Sequence, residues 1–393
     1  MSPYSSLKVL YDGQAFDMQT HGGVSRCFAE LYKHLPQTVD ADVVCLETDN
    51  VYMLNLGFKH KGTIYDGFLM KGNNAFKKFC YKIRYNFKYG KYSHWDKKPL
   101  LNNYETELRL QQGDFDIFHP TFFDPYFLPY LKGKPFVLTV HDMIPELYPQ
   151  YYPSDEIQLT RKKKLIPLAD HIVAVSENTK KDIMKFFDVP EEKISVVYHG
   201  TDTTPYYPTP NSNKYGKYVL YVGERQWYKN FNGFIKEMLP ILERHKDLKI
   251  VCTGKPFSSE EQAIFNFFSI SDRIEQLFVN GDQEFMDLYH NAICFVYPSE
   301  YEGFGIPILE AYKADCIVML NHASCFPEIA GDAAVYFHMK DGESDFEEQF
   351  EKVYSMSSKE REALLQKQRE RLTLYTWGNA ARQLAEVYKK VLK

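Results

Sequence analysis

No stretch of about 18 or more apolar residues occurs in the 393-residue sequence, so no transmembrane helix is expected. The opening MSPYSSLKVLYDG lacks a charged region followed by an apolar stretch and a cleavage site, so it does not read as a secretory signal. Positive charge is not in excess. The chain has 47 Lys and Arg against 52 Asp and Glu, and the net charge of −5 argues against a general nucleic-acid binder. Cysteine is sparse and odd in number. The seven (Cys27, Cys45, Cys80, Cys252, Cys294, Cys316 and Cys325) form no CxxC pair, and several sit in apolar runs such as VVCL and ICFV. They read as buried thiols in a reducing compartment. Zinc-ligand spacing, a Walker loop, a GxSxG elbow, HExxH and GxGxxG are missing, which removes the signatures of zinc enzymes, P-loop NTPases, serine hydrolases and dinucleotide-cofactor enzymes. Glycine (21) and proline (20) are ordinary, as are 44% hydrophobic and 25% charged residues, which excludes collagen, coiled coil and wholesale disorder. The abundant class is aromatic: 30 Tyr and 29 Phe.

Length predicts two or three domains of roughly 100–200 residues. The pattern along the chain is strand then helix, repeated. Leu7–Tyr11, Val43–Leu46, Ile117–Phe118, Phe136–Val140, Ile172–Val175 and Ile194–Tyr198 read as strands. A helix opens near Gly22-Gly23, with Val24, Cys27, Phe28, Leu31 and Leu35 on one face, and Ser176 reads as the N-cap of a helix around Lys180–Phe187. Pro205, Pro208 and Pro210 mark a linker across Gly200–Tyr218. The rhythm then restarts with strands at Tyr218–Val222, Lys249–Cys252, Gln276–Val279, Ile293–Tyr297 and Cys316–Leu320, and a helix over Phe231–Arg244. This predicts an α/β fold with parallel sheets: a first domain over 1–202, a second over 203–375, and an amphipathic last helix (about 376–393) packing back on the first.

Sites in such folds lie beyond the carboxyl ends of strands. The strongest candidate is SEYEGFGIPILEA (299–311), after the strand Ile293–Tyr297. Gly303 and Gly305 allow close backbone approach, Pro307 suits a first helical turn, and a helix N-terminus is an anion site. Glu302 and Glu310 flank it with seven residues between, and carboxylates accept hydrogen bonds from hydroxyls. Hydroxyls beside a phosphate describe a nucleotide sugar. On spacing alone, Glu302 reads equally as a solvated loop residue and Glu310 as a favourable charge near a helix start. Next comes Gly223 to Asn230, where Arg225 and Lys229, on a loop rather than in a core, either clamp a diphosphate or form a solvated basic turn. Gly22-Gly23 opens a helix and is a third, backbone-only anion site. His141 ends a strand and is a weaker candidate, more often structural in such a position, with His119 weaker still.

Taken together and in order, these residues give the chain a family likeness. It resembles the retaining glycosyltransferases of family 4, of bacterial polysaccharide or glycolipid type, which have the GT-B fold of two Rossmann-like domains facing a cleft. The stretches that carry the likeness are Glu302-GFGIPIL-Glu310, HGGVSR (21–26), TVHDMIPELYP (139–149), ADHIVAVSENTKKDI (169–183), YHGTD (198–202), YVGERQWYKN (221–230) and PEIAGDAAVYF (327–337). They cover most of the chain except roughly 50–110. The resemblance implies that Glu310 holds ribose hydroxyls, Glu302 the donor sugar, and Arg225 and Lys229 the diphosphate. The amides of Phe304, Gly305 and Gly23 approach it, with Gly22, Gly223, Gly303 and Ile306 in the same donor set, and His141 touches the sugar. Many members place four residues between the Arg and the Lys, whereas Gln226-Trp227-Tyr228 gives three. The donor would be UDP-, GDP- or dTDP-linked and the acceptor a glycan or a polyprenyl-linked glycan. No cofactor is expected, and no metal. The competing readings are a nucleotide-sugar epimerase on the same fold and a non-catalytic sugar-nucleotide or membrane-binding module.

Outside the likeness, residues 59–98 hold eleven Lys or Arg against two acids, a net +9 that leaves the rest of the chain at −14. Phe76, Phe79, Cys80, Ile83 and Phe87 share one helical face, flanked by Lys77, Lys78, Arg84, Lys88 and Lys91. Such a helix suits an anionic membrane surface, or packs on the first domain with a solvated basic edge; nucleic acid is disfavoured. The expected location is cytoplasmic, peripheral at the inner face of the cell membrane.

Overall fold

A computed structural model describes residues 6–61, 101–202, 204–279, 281–340 and 343–393. The basic aromatic helix, with Lys77, Lys78, Arg84, Lys88 and Lys91, lies outside the described residues. The chain divides into two units. The first comprises Met1–Val175, Lys180–Val197 and Trp377–Lys393, and the second Ser176–Thr179 and Tyr198–Thr376. No helix among the described residues is long and apolar enough to cross a membrane.

In the first unit the strands are β1 (Leu7–Tyr11), β2 (Val39–Val43), β3 (Ile117–His119), β4 (Val137–Val140), β5 (His171–Ala174) and β6 (Ile194–Val196). They form parallel ladders in the orders β2-β1-β3 and β4-β5-β6, and a parallel bridge between Phe118 and Phe136 joins the two. Strands such as VLTV and HIVA are buried along their whole length, as a parallel sheet covered on both faces requires. The strand expected at Val43–Leu46 lies earlier, at Val39–Val43. There VDADV alternates, with Val39 and Val43 inward and Asp40 and Asp42 outward, the pattern of an edge strand with one wet side.

The helix Gly23–His34 buries Cys27, Phe28 and Leu31 in the same core as the last helix, Trp377–Val391, which contributes Trp377, Ala381, Leu384 and Tyr388. A buried polar chain holds that helix in register. The Tyr388 hydroxyl bonds to the Tyr11 hydroxyl and to His119 Nδ1 at 2.6 Å, and His119 Nε2 bonds to Thr139 Oγ1 at 2.9 Å. Tyr388→Phe should therefore lower stability by about 1–3 kcal/mol, because two buried groups lose a partner while the packing stays intact. Urea unfolding would show this as a lower midpoint at unchanged slope.

The second unit carries β7 (Lys217–Tyr221), β8 (Leu248–Thr253), β9 (Ile274–Leu277), β10 (Cys294–Tyr297), β11 (Val318–Asn321) and β12 (Val335–Phe337) in one parallel sheet, ordered β12-β11-β10-β7-β8-β9. Counted from its own first strand this is the 3-2-1-4-5-6 order of dinucleotide-binding folds, whose strand order reverses between first and fourth strands, here β7 and β10. The helix Phe231–Arg244 buries Phe231, Phe234, Ile235, Met238, Ile241 and Leu242, a 3.6-residue stripe against that sheet. The proline-bearing connection ahead of β7 is strapped down: Asp287 accepts from the Thr209 amide at 3.0 Å and from the Tyr206 hydroxyl.

Candidate active site

The site is built at the carboxyl ends of β7, β8 and β10. Gly223 and Gly254, just past β7 and β8, have φ of +110° and +109°. A Cβ on Gly254 would stand 3.0 Å from the Gly223 carbonyl oxygen, so the two turns abut only because glycine is there. After Gly223 the chain makes a short turn over Trp227–Lys229, which aims Lys229 across the switch point. Its Nζ lies 2.5 Å from Glu302 Oε1, in the loop after β10. The Ser299 hydroxyl donates to the same oxygen at 2.8 Å. The two loops are tied by the Glu300 amide on the Tyr228 carbonyl, 2.7 Å. Ser324 fixes the backbone of Glu302 from the other side, accepting from its N–H at 3.0 Å and donating to its carbonyl at 2.6 Å. The Lys229 and Glu302 side chains are 18% and 10% exposed, deep enough for the pair to be only weakly screened.

Past Glu302, the Gly303 carbonyl accepts from the Ser176 hydroxyl at 2.7 Å, and the buried Phe304 ring packs against His199. Gly305, at φ +92°, is the N-cap of the helix Ile306–Lys313, with Pro307 in its first turn. Pro307 has no N–H and the Ile308 amide bonds back to the Gly305 carbonyl at 3.0 Å, so at this helix start the Ile306 amide is placed to favour an anion. Glu310 lies one turn along that helix, half-buried, and the Tyr289 hydroxyl donates to its Oε2 at 3.4 Å.

Arg225 goes elsewhere. Its side chain is 6% exposed, not the free loop cation that sequence analysis expects. Nε bonds to Glu261 at 2.7 Å, Nη2 reaches the carbonyls of Lys255 (2.6 Å) and Pro256 (3.0 Å), and the guanidinium lies over Phe257. A buried guanidinium needs acceptors, and the β8 loop supplies them. Lys229 therefore meets Glu302 without Arg225. The Arg225 Nη1 is buried without a hydrogen-bond partner among the described residues, 3.8 Å from where a Cβ on Gly254 would stand.

In the first unit, Gly22 precedes the helix Gly23–His34, and Gln19 Oε1 takes the Ser25 amide in its first turn. Phe28 of that helix meets the rings of His141 and His119, so the helix that Gly22-Gly23 opens packs against both histidines. His141 follows β4 directly. Burial pushes the His119 imidazole down to about 3, with His141 adding to it, and burial pushes His141 down to about 4. Both rings are neutral at pH 7. Below pH 6.5 an unfolded chain protonates these histidines while the folded one does not, so their contribution to stability is full above that pH and falls as pH drops toward 4, by about 1.4 kcal/mol per pH unit for each. Asp17 works in the opposite sense: burial raises its carboxyl to about 7, so the folded state takes up that proton first. His119→Gln should flatten the acid side of the stability curve by up to about 1.4 kcal/mol per pH unit relative to wild type, read from urea unfolding between pH 6 and 4.

The sequence model of Glycosyltransferase Family 4 matches residues 21–205, and that of Glycosyl transferases group 1 matches 206–371. The chain belongs to the family 4 glycosyltransferases. Among its relatives, the O-antigen chain mannosyltransferase RfbU of Salmonella typhimurium is 29% identical over 221 residues, covering 55% of this chain and 60% of that protein. The O-antigen chain mannosyltransferase B of Escherichia coli is 29% identical over 226 residues, covering 53% of this chain and 58% of that protein. The chain thus matches about 60% of the length of these curated relatives. In fold it resembles a glycosyltransferase from Rickettsia africae (TM-score 0.66, 17% identity, 99% of this chain and 100% of that one). It also resembles Anabaena Alr3699/HepE, solved with UDP and glucose (TM-score 0.67, 12% identity, 98% and 100%). The fold is that of the GT-B glycosyltransferases.

Within this family 4 chain, two polar groups that sequence reading passes over shape the second unit's site, and a third braces the first unit. Ser299 and Ser324 hold Glu302, and only the serine in SEYEG, next to the motif, could have signalled it. Asp12, at the end of β1, is fully buried and accepts from the Thr121 amide and hydroxyl (2.8 Å each) and Gln14 (2.7 Å), bracing the β1 and β3 loops.

Proposed function

We propose that this chain is a retaining hexosyltransferase that moves a sugar from a nucleotide-diphosphate sugar to a glycan or polyprenyl-linked acceptor. Its setting would be polysaccharide or lipopolysaccharide assembly at the inner face of the cell membrane, with residues 59–98 docking on anionic lipid. The observation that carries the reading is the Lys229–Glu302 pair, braced by Ser299, across the β7/β10 switch point. Lys229 has three N–H groups and gives one to Glu302, which leaves two for the oxygens of a departing diphosphate. The Ile306 amide at the start of the helix Ile306–Lys313 adds to that field. Glu302 accepts from the donor sugar and Glu310 from ribose. Arg225 takes part only through Nη1, the donor nitrogen that its contacts among the described residues leave over. Neutral His141 is the first unit's candidate near the reacting carbon. The mannosyltransferase names of two relatives favour mannose as the sugar.

No side chain is assigned as a covalent nucleophile. The acceptor attacks from the side the diphosphate leaves, and the leaving phosphate takes the acceptor proton. The protein contributes positioning and fixed charge. Because that charge is built in, transfer should proceed unchanged in excess EDTA; loss of activity restored by Mg²⁺ would overturn the assignment to Lys229. The donor class is tested by thermal shift with UDP-, GDP- and dTDP-linked sugars. The cognate donor stabilises the fold by about 2.7 kcal/mol at a hundredfold excess over Kd, and a chain stabilised by none of them is not a nucleotide-sugar enzyme.

A further inference from the structure

Trp227 occupies a backbone position that suits an indole badly. Its φ is +41°, in the left-handed region that glycine and asparagine adopt readily and a bulky residue does not. The turn imposes this geometry. The amides of Lys229 and Asn230 bond back to the carbonyls of Gln226 and Trp227 at 2.9 Å each, and the Glu300 amide pins Tyr228. Asparagine at 227 would meet the same turn with less strain. Nor is the indole there to fill a core, being 49% exposed while Trp377 is 2% exposed. Strain of this kind persists at binding sites, where the side chain serves something outside the fold. Two residues on, Lys229 reaches Glu302, which also accepts from Ser299, a largely buried cluster of donors and acceptors at the mouth of the sheet.

We propose that the Trp227 indole is a platform on which a pyranose ring stacks, with its hydroxyl rim turned to the Lys229–Glu302 cluster. The inference rests on the sugar-transfer reading above and adds to it the residue that recognises the ring. A pyranose has a face of C–H bonds bordered by hydroxyls, so it needs an apolar plate beside polar partners, and a half-exposed indole on the same short turn as the lysine of a carboxylate–ammonium pair offers both. The ring belongs either to the donor or to the acceptor, since both are pyranosides.

The test uses the full chain as wild type, Trp227→Asn and Trp227→Tyr. Calorimetric titration is run with UDP and GDP, with UDP-glucose and GDP-mannose, and with mannobiose in the presence of the nucleoside diphosphate that binds. The Asn variant should melt roughly 2–4 °C higher, because its backbone is relaxed. It should bind the nucleoside diphosphate within about twofold of wild type and lose at least about tenfold in affinity for one sugar probe. Loss confined to the nucleotide sugar places the ring in the donor; loss confined to mannobiose places it in the acceptor. The Tyr variant, which keeps an aromatic face, should stay within about threefold. The proposal is overturned if the Asn variant binds both sugar probes like wild type, if it melts lower, which would make the indole a packing residue, or if nucleoside diphosphate binding falls as far as sugar binding, which would put a nucleobase on the indole. Wild type that binds a nucleoside diphosphate but no sugar probe also overturns it. Wild type that binds mannobiose but no nucleotide leaves the platform standing and removes the transferase reading.

Discussion

Glu302→Gln and Lys229→Met should each lower transfer by about 10²–10³-fold, the loss typical of removing one preorganised charge from a transition state. Each partner alone is compromised, because Glu302 Oε1 accepts from Lys229 at 2.5 Å and from Ser299 at 2.8 Å, and the side chains are largely sheltered from solvent. Removing one charge leaves the other in a poorly solvated site, which destabilises the fold as well as the chemistry. The double variant separates the two effects. Lys229→Met with Glu302→Gln leaves no unpaired charge, so its thermal midpoint should return close to wild type, yet transfer should stay as low as in the worse single variant, because the two residues act as one unit. The measurements are kcat for sugar transfer, nucleoside diphosphate binding and the melting midpoint for all four proteins. Binding should persist in Glu302→Gln, since that carboxylate is assigned to the sugar. Full activity in either single variant would remove the pair from the mechanism.

The largest effect on stability is expected from Lys162. Its side chain is fully buried, with Nζ 2.6 Å from Glu146 and 3.1 Å from the Asp142 carbonyl. Glu146 is nearly as buried, and burial raises its carboxyl while Lys162 pulls it back down. Lys162→Ala abandons that carboxylate and should lose about 3–5 kcal/mol. At roughly 2–4 °C per kcal/mol for a unit of this size, the midpoint should fall by about 10 °C or more. Lys162→Met combined with Glu146→Leu should recover most of the loss, since an apolar pair of similar volume is often neutral or better. A double variant as unstable as Lys162→Ala would show that the volume and the Asp142 contact matter more than the charges. Glu146 belongs to the short helix Ile144–Leu147, which starts three residues after His141, and Lys162 also holds the Asp142 carbonyl, so the single variant should also disturb the loop that carries His141.

Regular elements were legible where periodicity is strong. The helix Phe231–Arg244 is found over the residues expected, because its apolar side chains recur at every third or fourth position and pack on one sheet. Pro307 and Gly305 marked a helix start that the structure has at Ile306. The strand at Val39–Val43 was misplaced because an alternating edge strand looks polar, while the apolar Val44 and Cys45 that follow it are buried in a loop. Lys162 was invisible. In the run TRKKKL it looks like one of several solvated charges, yet only its position on the helix Ile157–Leu165 turns inward to Glu146.

The sequence alone determined that two α/β units follow one another, that the segment from Glu302 to Glu310 opens a helix after a strand, and that the chain resembles family 4 glycosyltransferases. Local periodicity, glycine and proline placement, and ordered motifs carry that information, and all are short-range. Which cation meets Glu302 was decided only by the tertiary structure. Lys229 and Glu302 are far apart in sequence and become neighbours because the sheet order sets β10 beside β7. Spacing within the Gly223–Asn230 loop could not say that Arg225 turns to Glu261 while Lys229 turns to Glu302. That choice follows from the left-handed residue at Trp227, which redirects the chain between the two cations, and from the acceptors that the β8 loop offers to a buried guanidinium.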